Sequence, residues 1–228
     1  MSKKKNEQEE VIVDIEEVYS KTEKFVETYK KQITYVVGTI VAVVVLYLIY
    51  VKLYLEPHEL EAQSEMFTAE QYFEQDSLDK AIYGDGVALG FIDIIDIYGG
   101  TKSSNLAHYY LGISYLRMGS YDEAIDELNS FSSDDIMLSS ISVGAKGDAY
   151  MELGEIEKAI GLYKDAAHTK ENKFSSPIYL IKAGKALESI EEYSDALSVY
   201  EEIKDKYPES QEGREIEKYI ARAGSYVN

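Results

Sequence analysis

Few residues in this chain have types that could support chemistry, and they are scattered. His58, His108 and His168 stand far apart, and none has the close helical spacing at which two imidazoles share a metal ion. Asp93 with Asp96, and Asp134 with Asp135, bring carboxylates together in sequence, as general acid and base work requires. Helix starts and solvated helix faces use the same residues, because free N–H groups at a helix N-terminus favour a negative side chain. "GDGVALG", from Gly84 to Gly90, lacks the G-x-G-x-x-G spacing of a dinucleotide loop, and no strand precedes it. G-x-S-x-G, H-E-x-x-H and a phosphate-binding glycine loop are all missing. Without a cysteine the chain has no disulfide, thiolate nucleophile, cysteine-based zinc site or lipidated cysteine. The expectation is a protein that is not an enzyme, with no catalytic, cofactor-binding or metal-binding residues.

The chain is more informative about architecture. "HYYLGISYLRMGSYDEAIDEL" from His108, "VGAKGDAYMELGEIEKAIGLY" from Val143 and "LIKAGKALESIEEYSDALSVY" from Leu180 are three copies of one pattern. A glycine (Gly112, Gly147, Gly184) is followed three residues on by Tyr115, Tyr150 or Leu187. Twelve residues after the glycine comes Ala124, Ala159 or Ala196, and four beyond that Leu128, Tyr163 or Tyr200. The copies are offset by 35 and 37 residues, close to the period of about 34 of a helix-turn-helix solenoid. Small residues let two antiparallel helices approach, and large ones fill the space between a hairpin and its neighbour. Gly119 and Gly154 are expected to make the turns inside two hairpins, with Glu191 at that position in the third.

Ahead of these, Ala69, Tyr72, Ala81 and Ile82 fall on the same columns and predict a degenerate unit. "GDG" then interrupts the chain before an expected helix "VALGFIDIIDIY", which ends at Gly99 and Gly100. Beyond Pro208, Ile216, Tyr219, Ile220 and Ala223 share one face of an expected terminal helix that caps the solenoid.

The pattern resembles the tetratricopeptide repeat, whose W-x2-L-G-x2-Y, A-x3-F and final P fall in the first copy on His108, Leu111, Gly112, Tyr115, Ala124, Leu128 and Ile136. Tryptophan is missing throughout, and only the third copy keeps the terminal proline, Pro208. The resemblance implies a concave groove lined by the first helix of each hairpin. Here those lining residues are Leu106, Tyr109, Ile113 and Leu116; Ile141, Asp148 and Met151; and Ile178, Ile181 and Lys185. Such a groove is mainly apolar, lacks the Lys/Asn clamp that holds a C-terminal carboxylate in some members, and suits an extended segment or a partner's helix.

A second kind of segment precedes the repeats. Ile33 to Val51 reads "ITYVVGTIVAVVVLYLIYV", 19 residues without a charge. About 20 residues at 1.5 Å each match a hydrocarbon core of about 30 Å, so a transmembrane helix is expected. No small-x-small cleavage site follows. Lys21, Lys24, Lys30 and Lys31 precede the span and Lys52 alone follows closely, which orients the N-terminus to the cytoplasm and the repeats across the membrane. Tyr35, Tyr47, Tyr50 and Tyr54 lie toward its ends, and Gly38 with Ala42 forms a small-xxx-small pair able to admit another helix. Before the span, a polar start from Met1 to Glu10 reads as unstructured. Ile15, Val18, Tyr19, Thr22, Phe25, Val26 and Tyr29 then follow at helical spacing, as an amphipathic helix against headgroups or a membrane partner.

The formal charge is −19. Residues 56–228 hold 15 basic and 34 acidic residues and residues 1–32 seven and eight, so the acidity belongs to the repeat region. That excludes unassisted nucleic-acid binding, which needs a basic patch, and favours solubility.

The expected architecture is thus all-α: a cytoplasmic stub (1–32), a transmembrane anchor (33–55), a degenerate first repeat with its connecting helix (56–100), three tetratricopeptide repeats (101–208) and a capping helix (209–228). This arrangement resembles the YfgM-like family of bacterial inner-membrane proteins over about Lys30 to Pro208, and "GFIDIIDIYGGTKSSNLAHYYLGISYLRMGSYDEAI" is similar to its Bacteroidota version. The resemblance implies an ancillary, single-pass subunit with a periplasmic repeat domain near the SecYEG translocon. Its implied partners are a PpiD-like periplasmic chaperone or exported polypeptides, with no small-molecule substrate. A scaffold for envelope assembly or secretion machinery, without contact to nascent chains, is the alternative. Tyr109→Glu with Ile113→Glu is expected to weaken partner binding while leaving helicity and thermal unfolding nearly unchanged.

Overall fold

The computed structural model describes the backbone of residues 2–227 and the side chains of Glu23 and residues 26–227. It has no strand among the described residues and divides into two units, Met1–Pro57 and His58–Asn228.

In the first unit helix α1 (Ser2–Tyr50) is followed by a π-helical turn, Val51–Leu55. Helix begins at Ser2 rather than after Glu10, since lysine, glutamate and glutamine favour helix and no glycine or proline interrupts them before Gly38. Ile15, Val18, Tyr19, Thr22 and Phe25 lie outside the residues whose side chains are described; Val26 and Tyr29 are exposed. Every apolar side chain from Ile33 to Tyr50 is exposed, and the helix is long and apolar enough to cross a membrane. Thr34 and Thr39 donate their hydroxyls to the carbonyls of Lys30 and Tyr35 at 2.8 Å, so both are satisfied within the helix. At the far end Tyr50 stacks on Tyr54 at 5.4 Å, and Lys52 pairs with Glu56 at 2.8 Å. Gly38 faces open space and Ala42 is exposed.

The second unit is a run of helix hairpins. Helix α2 (Glu56–Glu74) pairs with α3 (Leu78–Tyr83) and α4 (Phe91–Ile97). Then come α5 (Lys102–Met118) with α6 (Tyr121–Ser130), α7 (Ile136–Glu152) with α8 (Ile156–His168), and α9 (Ser175–Ser189) with α10 (Tyr193–Lys206). The second helix of a hairpin packs on the first helix of the next, α6 on α7 and α8 on α9, and α10 packs on the last helix, α12 (Ile216–Val227). Helices α5, α7 and α9 each have a start signal. Thr101 Oγ1 accepts from Ser104 N at 3.0 Å, Asp135 Oδ1 from Met137 N at 2.8 Å, and Asn172 Oδ1 from Ser175 N at 2.8 Å.

All four hairpins turn in the same way. The N–H of Ser77, Ser120, Glu155 and Glu192 donates to the carbonyl of Tyr72, Tyr115, Tyr150 and Leu187 at 2.8, 2.9, 2.9 and 3.0 Å, which closes each first helix with a left-handed residue. That residue is Gly119 (φ +83°) or Gly154 (φ +77°) in two of them. In the others it is Glu191 (φ +65°) and Asp76 (φ +60°), the non-glycine residues of positive φ among those described. The turn is therefore set by the hairpin and not by glycine alone.

Close approach within a hairpin does depend on glycine. A Cβ at Gly112 would stand 2.7 Å from Leu128 Cγ, at Gly147 2.7 Å from Tyr163 Cε1, and at Gly184 2.2 Å from Tyr200 Cε1. Ala124, Ala159 and Ala196, on the opposing helices, have no exposed surface.

The first hairpin departs from this plan. Where the others place Leu128, Tyr163 or Tyr200, it has Asp85, and the chain leaves helix at Gly84. Asp85 accepts from Val87 N at 2.9 Å, Ala88 N at 2.8 Å and the Tyr72 hydroxyl at 2.7 Å. Helix resumes only at Phe91, so the helix expected from Val87 starts later: Val87 is 95% exposed, and Gly90 opens α4 from an extended conformation. Helix α4 then replaces the missing anchor. Phe91 and Ile94 are fully buried, and Phe91 stacks on Tyr110 at 5.4 Å.

At the other end, the expected single terminal helix is two. Ser210 caps a one-turn helix α11 (Gln211–Arg214), and α12 starts afresh to bury Ile216 and Ala223. Pro208 lies exposed between α10 and α11, where it cannot continue a helix.

Gly184→Ala should lower stability by about 1–3 kcal/mol, because the fully buried Tyr200 ring cannot move aside. Gly161→Ala, where an added Cβ meets nothing within 4 Å on an exposed helix face, should raise it by about 0.5–1 kcal/mol. Urea unfolding midpoints of the two variants check both. A second expectation concerns acid. The Ala88 N–H, with the Tyr72 hydroxyl and the Val87 N–H, holds the Asp85 carboxyl down at about 2. A carboxylate depressed in the folded state stabilises above its unfolded pKa of about 4 and loses that contribution as pH falls toward the folded value. Wild type should therefore lose its margin over Asp85→Ala between pH of about 4 and about 2, as read by acid titration of helicity.

Candidate partner-binding groove

Helices α5, α7 and α9 lie side by side, α5 against α7 and α7 against α9. Leu106, Tyr109, Ile113 and Leu116 are on α5, Ile141, Asp148 and Met151 on α7, and Ile178, Ile181 and Lys185 on α9. Ile178 and Lys185 are exposed, and the other eight are half-buried. Part of this apolar surface is spent on the domain itself. Leu106 packs against the core formed by α2 to α5, and Met151 and Ile181 against the core formed by α8 to α12. Tyr109 sits 5.3 Å from Phe131 and 5.5 Å from Tyr110, ring centre to ring centre, and burial pushes its hydroxyl above the ordinary tyrosine value. The Tyr109→Glu substitution expected to affect binding alone would therefore also open an aromatic cluster. Ile178, 42% exposed, is the cleaner site.

A polar cluster crosses the same surface. Lys182 donates to both oxygens of Asp148 at 2.7 Å, and the Tyr163 hydroxyl donates to Asp148 Oδ1 at 2.7 Å. The Lys182 ammonium lies 5.6 Å from the Tyr163 ring centre and 5.7 Å from that of Tyr179. Burial, then the bond to Asp148, raises the Tyr163 pKa; burial, then the Asp148 charge and Tyr109, raises that of Tyr179. Both stay protonated, Tyr163 as a donor to Asp148 and Tyr179 as a wall beside Lys182.

Tyr179, Lys182 and Tyr163 did not stand out as groove residues in the repeat columns. Tyr179 is 7% exposed and covers Gly144, where an added Cβ would stand 1.9 Å from Tyr179 Cε1. The first glycine of "VGAKG", Gly144, was the available signal, because a glycine outside the hairpin column marks another close approach.

Beside Ile178 the groove opens into a cleft of about 620 Å³, lined by Lys173, Phe174, Lys206, Tyr207 and residues 208–212. Phe174 is 75% exposed. Elsewhere, His108 Nδ1 lies 2.6 Å from Glu127 and His168 Nε2 2.9 Å from Glu202. Each bridges two helices, and no cluster of three or more His, Cys, Asp or Glu able to hold a metal ion occurs among the described residues.

This architecture defines a class, the α-helical hairpin solenoid whose stacked first helices present an inner surface. Tetratricopeptide-repeat profiles match residues 106–134 and 145–211, so the hairpins α5 to α10 are tetratricopeptide repeats and constitute a protein–protein interaction module. The fold is similar to crystal structures of nearly identical TPR-like repeats from a Podosopora anserina protein assigned as a kinesin light chain. A single-substitution variant gives a TM-score of 0.55 at 16% identity, covering 75% of this chain and 88% of that one. A second structure gives 0.54 at 16% identity, covering 73% and 87%. At this identity the likeness is one of fold. No curated protein matches the chain.

Asp148→Ala and Lys182→Ala should be non-additive, with a coupling of about 0.5–1 kcal/mol in a double-mutant cycle of unfolding, since the pair is half-exposed and partly screened. A coupling near zero would mean that Tyr163 and Tyr179 hold the cluster without the ion pair.

Proposed function

We propose that the chain is a membrane-anchored interaction module, with the apolar stretch of α1 in a bilayer and the repeats on the extracytoplasmic side, holding a protein segment in the groove of α5, α7 and α9. The observation that carries this reading is the coexistence of two apolar surfaces of different kinds: a helix with no buried face from Ile33 to Tyr50, and a partly exposed strip on Ile141, Ile178 and Ile181. A wholly exposed apolar helix of this length is costly in water and favourable in lipid. The lysines before the span favour a cytoplasmic N-terminus. The resemblance to the YfgM-like family supports the particular setting, the bacterial inner membrane at the exit of the SecYEG translocon, with a PpiD-like chaperone or exported polypeptides as partners.

A second reading, a scaffold for envelope assembly or secretion machinery, draws on the groove residues spent on the protein's own cores. A surface braced by Leu106, Met151 and Ile181 suits one fixed partner better than many clients.

Photo-crosslinking in intact cells from probes at Ile178 and Ile181, followed by mass spectrometry of the captured proteins, separates the two. Translocon subunits, an isomerase-like chaperone or diverse exported chains are the expected catch. Capture of one envelope-assembly component in their place would favour the scaffold.

A further inference from the structure

Charge is segregated across the three hairpins α5 to α10. The first helices α5, α7 and α9 hold five basic and three acidic residues, whereas the second helices α6, α8 and α10 hold four basic and ten acidic ones. In a chain of formal charge −19, the helices that line the groove form its basic side. Their three acids are already engaged. Asp148 pairs with Lys182, Glu188 with Arg222, and Glu152 accepts from the Tyr121 hydroxyl at 3.4 Å. Lys185 is not neutralised in this way: it is exposed, its ammonium lies 5.4 Å from the Tyr219 ring centre, and no carboxylate pairs with it among the described residues. Ile178, Ile181 and Lys185 follow one another at i, i+3 and i+7, on one face of α9.

We infer that the segment bound in the groove is acidic and apolar: it sets apolar side chains on Ile178 and Ile181 and a carboxylate on Lys185. This rests on the groove being the binding surface, as proposed above. The overall negative charge does not oppose it. At physiological ionic strength charges are screened over about 8 Å, and a helix with its side chains is about 10 Å thick, so the acids of the outer helices are largely damped at the groove and the local ammonium decides. A basic segment has nothing equivalent to gain, because the groove carboxylates Asp148 and Glu188 are already paired and displacing Lys182 or Arg222 would strand a half-buried charge. The cleft of about 620 Å³ beside Ile178 accepts the segment's leading apolar side chain between Phe174, Tyr207 and Pro208.

The test uses the full-length protein in lipid nanodiscs and three fluorescent peptides with the same spaced leucines, carrying aspartate, glutamine or lysine between them. Binding is read by anisotropy at two salt concentrations. The aspartate peptide should bind tightest, with an advantage that shrinks as salt rises. Lys185→Glu should weaken it by about fivefold and improve the lysine peptide, while Ile178→Glu with Ile181→Glu weakens all three. Equal binding of the three peptides, or a preference for the lysine peptide on wild type, overturns the acidic assignment if the double isoleucine variant still abolishes binding, and leaves the groove reading intact. Binding that survives the double isoleucine variant, or no binding of any peptide, overturns the groove reading and this inference with it. Circular dichroism of each variant establishes that the helices are retained.

Discussion

The fold rests on one repeated steric constraint, the contact of a glycine in the first helix of a hairpin with a large side chain in the second. Gly112 meets Leu128, Gly147 meets Tyr163 and Gly184 meets Tyr200, each at a distance that leaves no room for a methyl group. This contact fixes how near the two helices lie and hence where the next hairpin can stack, so the inner surface inherits its spacing from it. The first hairpin shows what happens where the large side chain is replaced by Asp85. The second helix stops, a hydrogen-bonded loop takes over, and α4 brings Phe91 in from elsewhere to fill the volume.

The same geometry limits what the groove can be. Its apolar residues are neither a free patch nor a closed core: most are half-buried, and several brace the domain. Tyr179 over Gly144 and the Asp148–Lys182 pair occupy part of the floor. What remains open lies toward α9, at Ile178, Lys185 and the cleft beside Ile178, with Ile181 half-buried between them. So localised an opening has the dimensions of a short segment, where a few anchors would dominate any binding energy.

The two units solve opposite problems of solvation. The second keeps its apolar side chains inside a solenoid whose outer helices are acidic, which suits a water-exposed domain. The first leaves a long apolar helix without any covering side chain, and its threonines return their hydroxyls to the helix backbone. By length and composition that helix could cross a membrane.

Much of this was legible in the residues. The spacing of Gly112, Gly147 and Gly184, with alanines twelve residues on, identifies the hairpins, because the periodicity of small and large side chains is a direct record of helix packing. The unbroken apolar run from Ile33 likewise specifies a helix with no polar face. Three features depended on folding. Glu191 and Asp76 take the left-handed turn conformation because the Schellman bond of each hairpin demands it, although glutamate does not favour it and aspartate does so only weakly. Tyr179 reaches Gly144 across two hairpins, a pairing that no local pattern encodes. Finally, which carboxylates are spent and which ammonium is left open on the inner face is settled by contacts between residues 34 positions apart, Asp148 with Lys182 and Glu188 with Arg222. Local spacing determines which residues share a helix face, and only the stacking of one hairpin on the next decides which of those residues remain available to another molecule.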